Sequence, residues 1–113
     1  MLAAGLTFAA DPQKLQTMAR NATTPAAHAE VARGYADWAV SLDAKAVTHE
    51  ANAERMAKDT RYNPMKHKWP AMAAAPVERE RRLAMQARRA ANEARELAQK
   101  HEALAGDKLT VAE

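Results

Sequence analysis

Cysteine and isoleucine are absent from this chain of 113 residues, and phenylalanine occurs only once. Without cysteine, neither a disulfide framework nor a thiolate metal site can form. No stretch approaches the roughly 18 consecutive apolar residues that a membrane-spanning helix needs. The chain also lacks a glycine-rich phosphate loop and a His-Glu-x-x-His motif, and no histidine stands with an evident nucleophile and orienting group. These absences predict a protein that is not an enzyme and has no transmembrane span.

Alanine makes up most of the apolar content, with 30 alanines against 8 leucines and 5 valines. An alanine methyl buries far less surface than a leucine side chain, and burial contributes only about 25 cal/mol per Å² of apolar surface. A lone helical hairpin of this composition would therefore be marginally stable. We predict that the chain forms a homodimer or binds a protein partner.

The ten N-terminal residues are apolar and end in small side chains. Thr7 and Ala9 have the spacing that signal peptidase prefers. Residues 1–10 are therefore predicted to be the remnant of a secretory signal, which places the protein in the periplasm or outside the cell. A single helical domain over residues 11–106 and a flexible tail over 107–113 are expected to follow.

Pairs of a capping residue and a proline mark two helix starts. Asp11-Pro12 and Thr24-Pro25 each combine a side-chain oxygen for the first free amides with a proline at the first helical position. Gly106, just past the last periodic residue, predicts a C-terminal stop. The predicted elements are a short helix, a long helix, a loop and a second long helix, over residues 12–20, 25–59, 60–76 and 77–105.

Both long helices carry a heptad seam. In the first helix a large residue recurs every seven positions, and an alanine lies four positions after each of the first four. The large residues are His28, Tyr35, Leu42, His49 and Met56, and the alanines are Ala32, Ala39, Ala46 and Ala53. The second helix has a leucine stripe with small residues interleaved and beside it: Leu83, Ala90, Leu97 and Leu104, with Ala87, Ala94, His101, Ala84, Ala91, Ala98 and Ala105. These patterns predict an all-α antiparallel two-helix hairpin that pairs into a four-helix bundle, with Leu42 and Leu97 buried at about the same height.

The register of the hairpin decides which histidines can meet. If the turn centres in the middle of the predicted loop, opposite residues have numbers that add to about 137. Tyr35 then lies near His101 and His49 near Ala87, while His28 and His101 are about 12 Å apart along the rod. Three histidines of one chain therefore cannot ligate one metal, and we predict polar seam residues bonded to a tyrosine hydroxyl or a glutamate. Dimerisation leaves open a metal site built by histidines of two chains.

One set of residues also carries a resemblance: His28, Tyr35, Leu42, Ala46, His49 and Ala53, followed in the second helix by Glu93-Ala94-Arg95-Glu96-Leu97-Ala98 and His101. This arrangement resembles small alanine-rich exported proteins of bacteria that are expected to be helical hairpins. The resemblance covers about residues 25 to 105 and implies the hairpin fold and a bacterial periplasmic or secreted location. It implies no activity, and the loop has no counterpart in that group.

The loop combines soft ligands within eight residues. Met65 and Met72 supply thioethers, His67 an imidazole and Trp69 an aromatic face. Such a set suits Cu(I) or Ag(I) better than zinc or magnesium, and copper handling would fit a periplasmic protein. The alternative is a small apolar core in which Trp69 and the methionines cover the helix ends, with no cofactor.

The region from Lys58 to Arg95 is basic, with ten lysines and arginines against four acidic residues. Such a surface attracts anionic lipid, acidic polysaccharide or another phosphate-bearing partner. Nucleic acid is not expected because an exported protein would not meet it. A solvated face with ordinary helix-surface ion pairs, such as Glu78 with Arg82, is the alternative. The residues predicted to bind a partner or an anion are Lys66, Lys68, Trp69, Arg79 and Arg82.

The sequence as a whole predicts a non-enzymatic, exported hairpin that acts as a structural or protein-interaction module. A small periplasmic soft-metal protein that uses the loop is the second interpretation. An anion-binding basic loop is the third.

Overall fold

The computed structural model describes residues 11–112, with side chains described as far as Gly106. Three helices make up most of this range: α1 over Pro12–Asn21, α2 over Pro25–Ala57 and α3 over Pro70–Ala112. The long helices α2 and α3 pack against each other as a hairpin, which confirms the predicted all-α hairpin with its short first helix. Pairing into a four-helix bundle stays a prediction, and the predicted signal remnant lies outside the described residues.

Both predicted capping residues begin helices. Asp11 Oδ1 accepts hydrogen bonds from the backbone amides of Gln13 and Lys14, at 3.1 and 3.2 Å. The hydroxyl oxygen of Thr24 accepts one from the Ala27 amide at 3.1 Å. These bonds satisfy amides that have no partner inside the helix, and they fix the starts of α1 and α2 where the sequence predicts them.

Helix α3 differs from the prediction at both ends. It begins at Pro70 rather than at residue 77, so Pro76 lies inside it. A proline in a helix interior costs about 3 kcal/mol because it removes a backbone hydrogen bond and crowds the preceding turn. The alanines before Pro76 and the burial of Val77 after it favour the helix on either side. α3 also continues past Gly106, and no described residue has the left-handed backbone of a glycine stop.

The chain divides into two compact units. In the described range, the terminal unit comprises residues 11–41 and 90–112, and the loop unit comprises Leu42–Arg89. Each unit contains part of α2 and part of α3. No helix in the described residues has the length and apolarity that crossing a bilayer would require.

In the terminal unit, α1 packs on α2 through Leu15. Leu15 and Val31 are the largest side chains that are fully buried among the described residues. Gly34 makes room for this contact, because a Cβ added there would overlap Leu15 Cδ2. A glycine inside a helix costs about 1 kcal/mol relative to alanine, and here it permits the close approach of α1.

The predicted α2 seam is confirmed, whereas the α3 seam is shifted by one residue. All nine predicted α2 positions are buried or half-buried. In α3 the buried positions are Val77, Ala84, Ala87, Ala91, Ala94, Ala98, His101 and Ala105. Leu97 lies beside this face and is 38% exposed, so the prediction that it is buried like Leu42 is wrong. An α3 face made of alanine leaves space for the large residues of α2.

Candidate functional site

Two short 3₁₀ helices, Thr60–Tyr62 and Pro64–Lys66, lie in the connection between α2 and α3. Asp59 and Asn63 cap them, since each side chain accepts the backbone amide two residues further on at 2.9 Å. Neither 3₁₀ helix contains a buried residue. The loop is therefore held by local hydrogen bonds and presents its side chains to solvent.

The four residues predicted to bind a soft metal are all exposed. Met65, Trp69 and Met72 are 91, 64 and 72% exposed, and His67 is exposed as well. The alternative in which Trp69 and the methionines form a capping core is therefore wrong. Together with the two neighbouring lysines, the three apolar side chains make up what we call the loop surface: Met65, Lys66, Lys68, Trp69 and Met72.

The ring of His67 is held in one tautomer. Its Nε2 lies 2.8 Å from the carbonyl oxygen of Thr60. A carbonyl can only accept, so Nε2 donates and carries the proton of the neutral ring. Nδ1 then has a lone pair. In metal-binding histidines, too, one ring N–H is commonly held by a backbone carbonyl or a carboxylate, while the other nitrogen binds the metal.

Cations accompany the exposed apolar side chains. Between Lys58 and Arg82 the sequence has seven lysines and arginines against three acidic residues. Lys66 and Lys68 are exposed, and neither forms an ion pair with another described residue. The Lys68 ammonium lies 5.9 Å from the centre of the Trp69 ring, within the range of a cation–π contact. Positive charge and aromatic surface are therefore presented side by side.

Arg61 adds less to this positive charge because Asp59 binds it. The Arg61 guanidinium donates to Asp59 Oδ2 at 2.8 Å through Nη2, and Nε donates to the same carboxylate. These hydrogen bonds hold the pKa of the Asp59 carboxyl below its ordinary value. The pair is neutral overall, so the uncompensated charge of the loop comes from its lysines.

The remaining two predicted anion-binding residues lie on α3 itself. Arg79 and Arg82 are exposed and lie about 14 and 18 Å along the helix from its start at Pro70. The predicted set is therefore divided within the loop unit. Lys66, Lys68 and Trp69 are neighbours on the loop surface, whereas the two arginines belong to an exposed stretch of helix.

The terminal unit contains a buried histidine pair that the sequence did not predict. The Nδ1 atoms of His28 and His101 are 2.9 Å apart, and the residues are 7 and 6% exposed. Their ring centres are 5.2 Å apart, and Tyr35 stacks on His101 at 6.3 Å. Two facing Nδ1 atoms share one hydrogen bond, so only one of them can carry a proton. Burial lowers the pKa of His101, and the charges of His28 and Lys100 lower it further.

The predicted separation of about 12 Å between His28 and His101 is wrong, whereas the predicted proximity of Tyr35 to His101 is confirmed. In the bonded pairs His28–His101 and His49–Glu80 the residue numbers both add to 129. The turn therefore centres near Pro64. Pro70 is the helix-start signal that would have predicted this position of the turn, because α3 begins there and not at residue 77.

In the loop unit, His49 bonds to Glu80 rather than lying against Ala87. His49 Nδ1 donates to Glu80 Oε1 at 2.8 Å, and the Asn52 amide donates to the same oxygen at 3.1 Å. The bond from His49, followed by that from Asn52, lowers the pKa of the Glu80 carboxyl. The predicted glutamate partner of a seam histidine is therefore confirmed at this position.

Among the described residues, no group of three or more His, Asp or Glu side chains is arranged to hold a metal ion. Comparison with protein-family models, with curated proteins and with solved structures finds no match to this chain.

Proposed function

We propose that this protein is a non-enzymatic, exported interaction module that binds an anionic partner through its loop surface. The observation that carries the proposal is the exposed Trp69 ring beside Lys68, with Lys66 in the same segment; neither lysine forms an ion pair with a carboxylate of the described residues. Export is supported by the apolar, signal-like N-terminal sequence.

The loop surface contributes little to the stability of the fold. Its apolar side chains remain largely in water, so they contribute little of the free energy that burial supplies. Exposed aromatic and methionine side chains beside cations are typical of binding surfaces, where a partner completes their burial. Unpaired lysines raise the rate of encounter with an anionic surface.

Binding of a simple polyanion tests this function. We expect poly-L-glutamate and inorganic polyphosphate to bind in isothermal titrations at low salt, and the affinity to fall by about tenfold for the double substitution Lys66→Glu and Lys68→Glu. The matched control is Lys45→Glu with Lys100→Glu, which changes the formal net charge of +3 by the same amount. Equal losses in both double variants, or no binding to either polyanion, would contradict the proposal.

A soft-metal site in the loop is a second candidate function. The observation that favours it is the His67 tautomer, in which Nε2 donates to Thr60 and Nδ1 keeps a lone pair. Met65 and Met72 offer exposed thioethers close by in sequence, which are ligands for Cu(I). Copper would be the cofactor in this case.

Titration with Cu(I) tests the second candidate. We expect one ion per chain, quenching of Trp69 emission, and weaker binding after Met65→Ala or His67→Ala. Trp38, on α2, serves as the internal control and should keep its emission. A titration that leaves the fluorescence unchanged would exclude the loop site, and binding that is lost only in His49→Ala would move the site to the seam.

A further inference from the structure

The loop surface has the composition of a group that enters the headgroup region of a lipid bilayer. Three apolar side chains, Met65, Trp69 and Met72, are between 64 and 91% exposed within one short segment. Tryptophan is enriched at membrane interfaces because its ring is apolar and its N–H remains in the polar layer. The unbranched methionines adapt to irregular apolar surroundings.

The charges of the same segment fit a phosphate layer. Lys68 presents its ammonium 5.9 Å from the Trp69 ring, and Lys66 lies in the 3₁₀ helix that also carries Met65. Lysine can extend its ammonium to phosphate oxygens while its methylenes stay in the apolar layer. Acidic lipid headgroups attract such cations within about a Debye length, close to 10 Å at 0.1 M salt.

A protein partner fits these observations less well. Tight protein interfaces bury a central aromatic residue in a complementary pocket, with neighbours that exclude water. In the loop, no residue of either 3₁₀ helix is buried, and the Trp69 ring is exposed beside the ammonium of Lys68 rather than set in an apolar pocket. A bilayer needs no shape complementarity, because any apolar side chain that projects from the loop can enter it.

We propose that the loop surface docks on an anionic phospholipid surface, with Trp69 inserted at the interface and Lys66 and Lys68 contacting lipid phosphates. This inference rests on the proposed function, because it names the partner of the same surface. In this proposal the residues that contact the membrane all belong to the loop unit, and none belongs to the terminal unit.

Vesicle co-sedimentation tests the proposal directly. We expect the full chain to bind vesicles of phosphatidylcholine with about one third phosphatidylglycerol, to bind pure phosphatidylcholine vesicles at least about tenfold less tightly, and to dissociate at high salt. The double substitution Lys66→Glu and Lys68→Glu should reduce the partition coefficient about tenfold, while Lys45→Glu with Lys100→Glu should retain most of it. Trp69→Ala should reduce it severalfold, and Met85→Ala, a change at a methionine of the loop unit that is 61% exposed, should not.

Measuring how deeply Trp69 enters the bilayer adds a readout that charge attraction alone would not change. In a chain with Trp38→Phe, the single remaining tryptophan should be quenched by brominated phosphatidylcholine mixed with phosphatidylglycerol. Circular dichroism of every variant should match that of the unchanged chain. Vesicle binding that falls equally in both double-lysine variants would overturn docking through the loop surface, and binding without quenching of Trp69 would overturn insertion. Binding to poly-L-glutamate but not to vesicles would overturn the lipid partner and leave the proposed function standing, whereas binding to neither probe would contradict both.

Discussion

The two units place a histidine at the same heptad position of α2 and surround it differently. In the terminal unit His28 faces His101, and both are almost fully buried. In the loop unit His49 faces the carboxylate of Glu80, and both side chains keep about a fifth of their surface in solvent, 23 and 18%. A histidine facing another histidine keeps its hydrogen bond only while one ring is neutral, whereas a histidine facing a carboxylate gains attraction when it is protonated. The partner on α3 therefore decides which hydrogen bond each seam histidine can make.

The units also differ in where their apolar side chains lie. The terminal unit buries Leu15 and Val31 between α1 and α2, with Gly34 allowing the contact. The loop unit instead leaves Met65, Trp69 and Met72 in solvent. We infer that the terminal unit contributes more to stability, and that the loop unit is the half available for binding.

Substitutions in the two histidine pairs should give the largest difference in the free energy of unfolding between the two units. His101→Ala leaves the buried Nδ1 of His28 without a partner and opens a cavity, so we expect a loss of about 3 kcal/mol in the free energy of unfolding. His49→Ala breaks a contact that is about one fifth exposed and should cost about 1 kcal/mol. Urea unfolding of both variants measures the difference, and equal losses would show that burial of the first pair does not decide its contribution.

Substitution of two leucines should show that a buried seam position contributes more to stability than a position beside the seam. Leu42 is 8% exposed and Leu97 is 38% exposed. We expect Leu42→Ala to cost about 2–3 kcal/mol and Leu97→Ala about 1 kcal/mol, because less apolar surface leaves water at Leu97. Lys45→Ala, at an exposed position, is the control and should change stability by less than about 0.5 kcal/mol. A larger loss for Leu97→Ala than for Leu42→Ala would contradict the assigned α3 seam.

The sequence was sufficient for features that depend on local chemistry. The caps at Asp11 and Thr24 follow from side-chain oxygens that can reach free amides, and they begin helices as predicted. The α2 seam follows from a strict heptad in which large residues and alanines alternate. Both kinds of pattern can be read without knowing what lies opposite in the fold.

Features that depend on the partner helix could not be read in the same way. In α3 an alanine directly follows every position of the leucine stripe, so periodicity alone did not choose between Leu97 and Ala98 as the seam residue. The register depended on the start of α3, and the two prolines at 70 and 76 gave competing start signals. The pairing of His28 with His101 followed from that register and was therefore missed.

Self-association should have a smaller effect on stability than the core substitutions. In the loop unit the core is mainly alanine, and Val47 and Met85 remain 54 and 61% exposed. If two hairpins pair into a four-helix bundle, mass action predicts that a hundredfold rise in protein concentration adds about 1.4 kcal/mol per chain and raises the Tm by about 5–10 °C. Calorimetry over that range, with sedimentation to determine mass, checks this. A constant Tm with the mass of a single chain would exclude the dimer.

The pH dependence of stability should be the smallest effect. It should fall in a different pH range for each unit. Burial lowers the pKa of His101 below its ordinary value of 6.5. Between the folded pKa and pH 6.5 the unfolded chain then binds more protons than the folded chain. The contribution of His101 is therefore present above pH 6.5 and is lost as the pH falls through the folded pKa.

Glu80 should act in the same direction at lower pH. The hydrogen bonds from His49 and Asn52 hold its pKa below the ordinary value of 4.5, so its contribution is present above pH 4.5 and is lost as the pH falls through the folded pKa. Urea unfolding between about pH 8 and about pH 3 should therefore show two separate losses of stability. His101→Asn should flatten the upper one because it removes the titrating imidazole, and His49→Gln should flatten the lower one because it removes the largest cause of the lowered pKa of Glu80. An upper loss that persists in His101→Asn but disappears in His49→Gln would reverse the assignment of the two ranges to the two units.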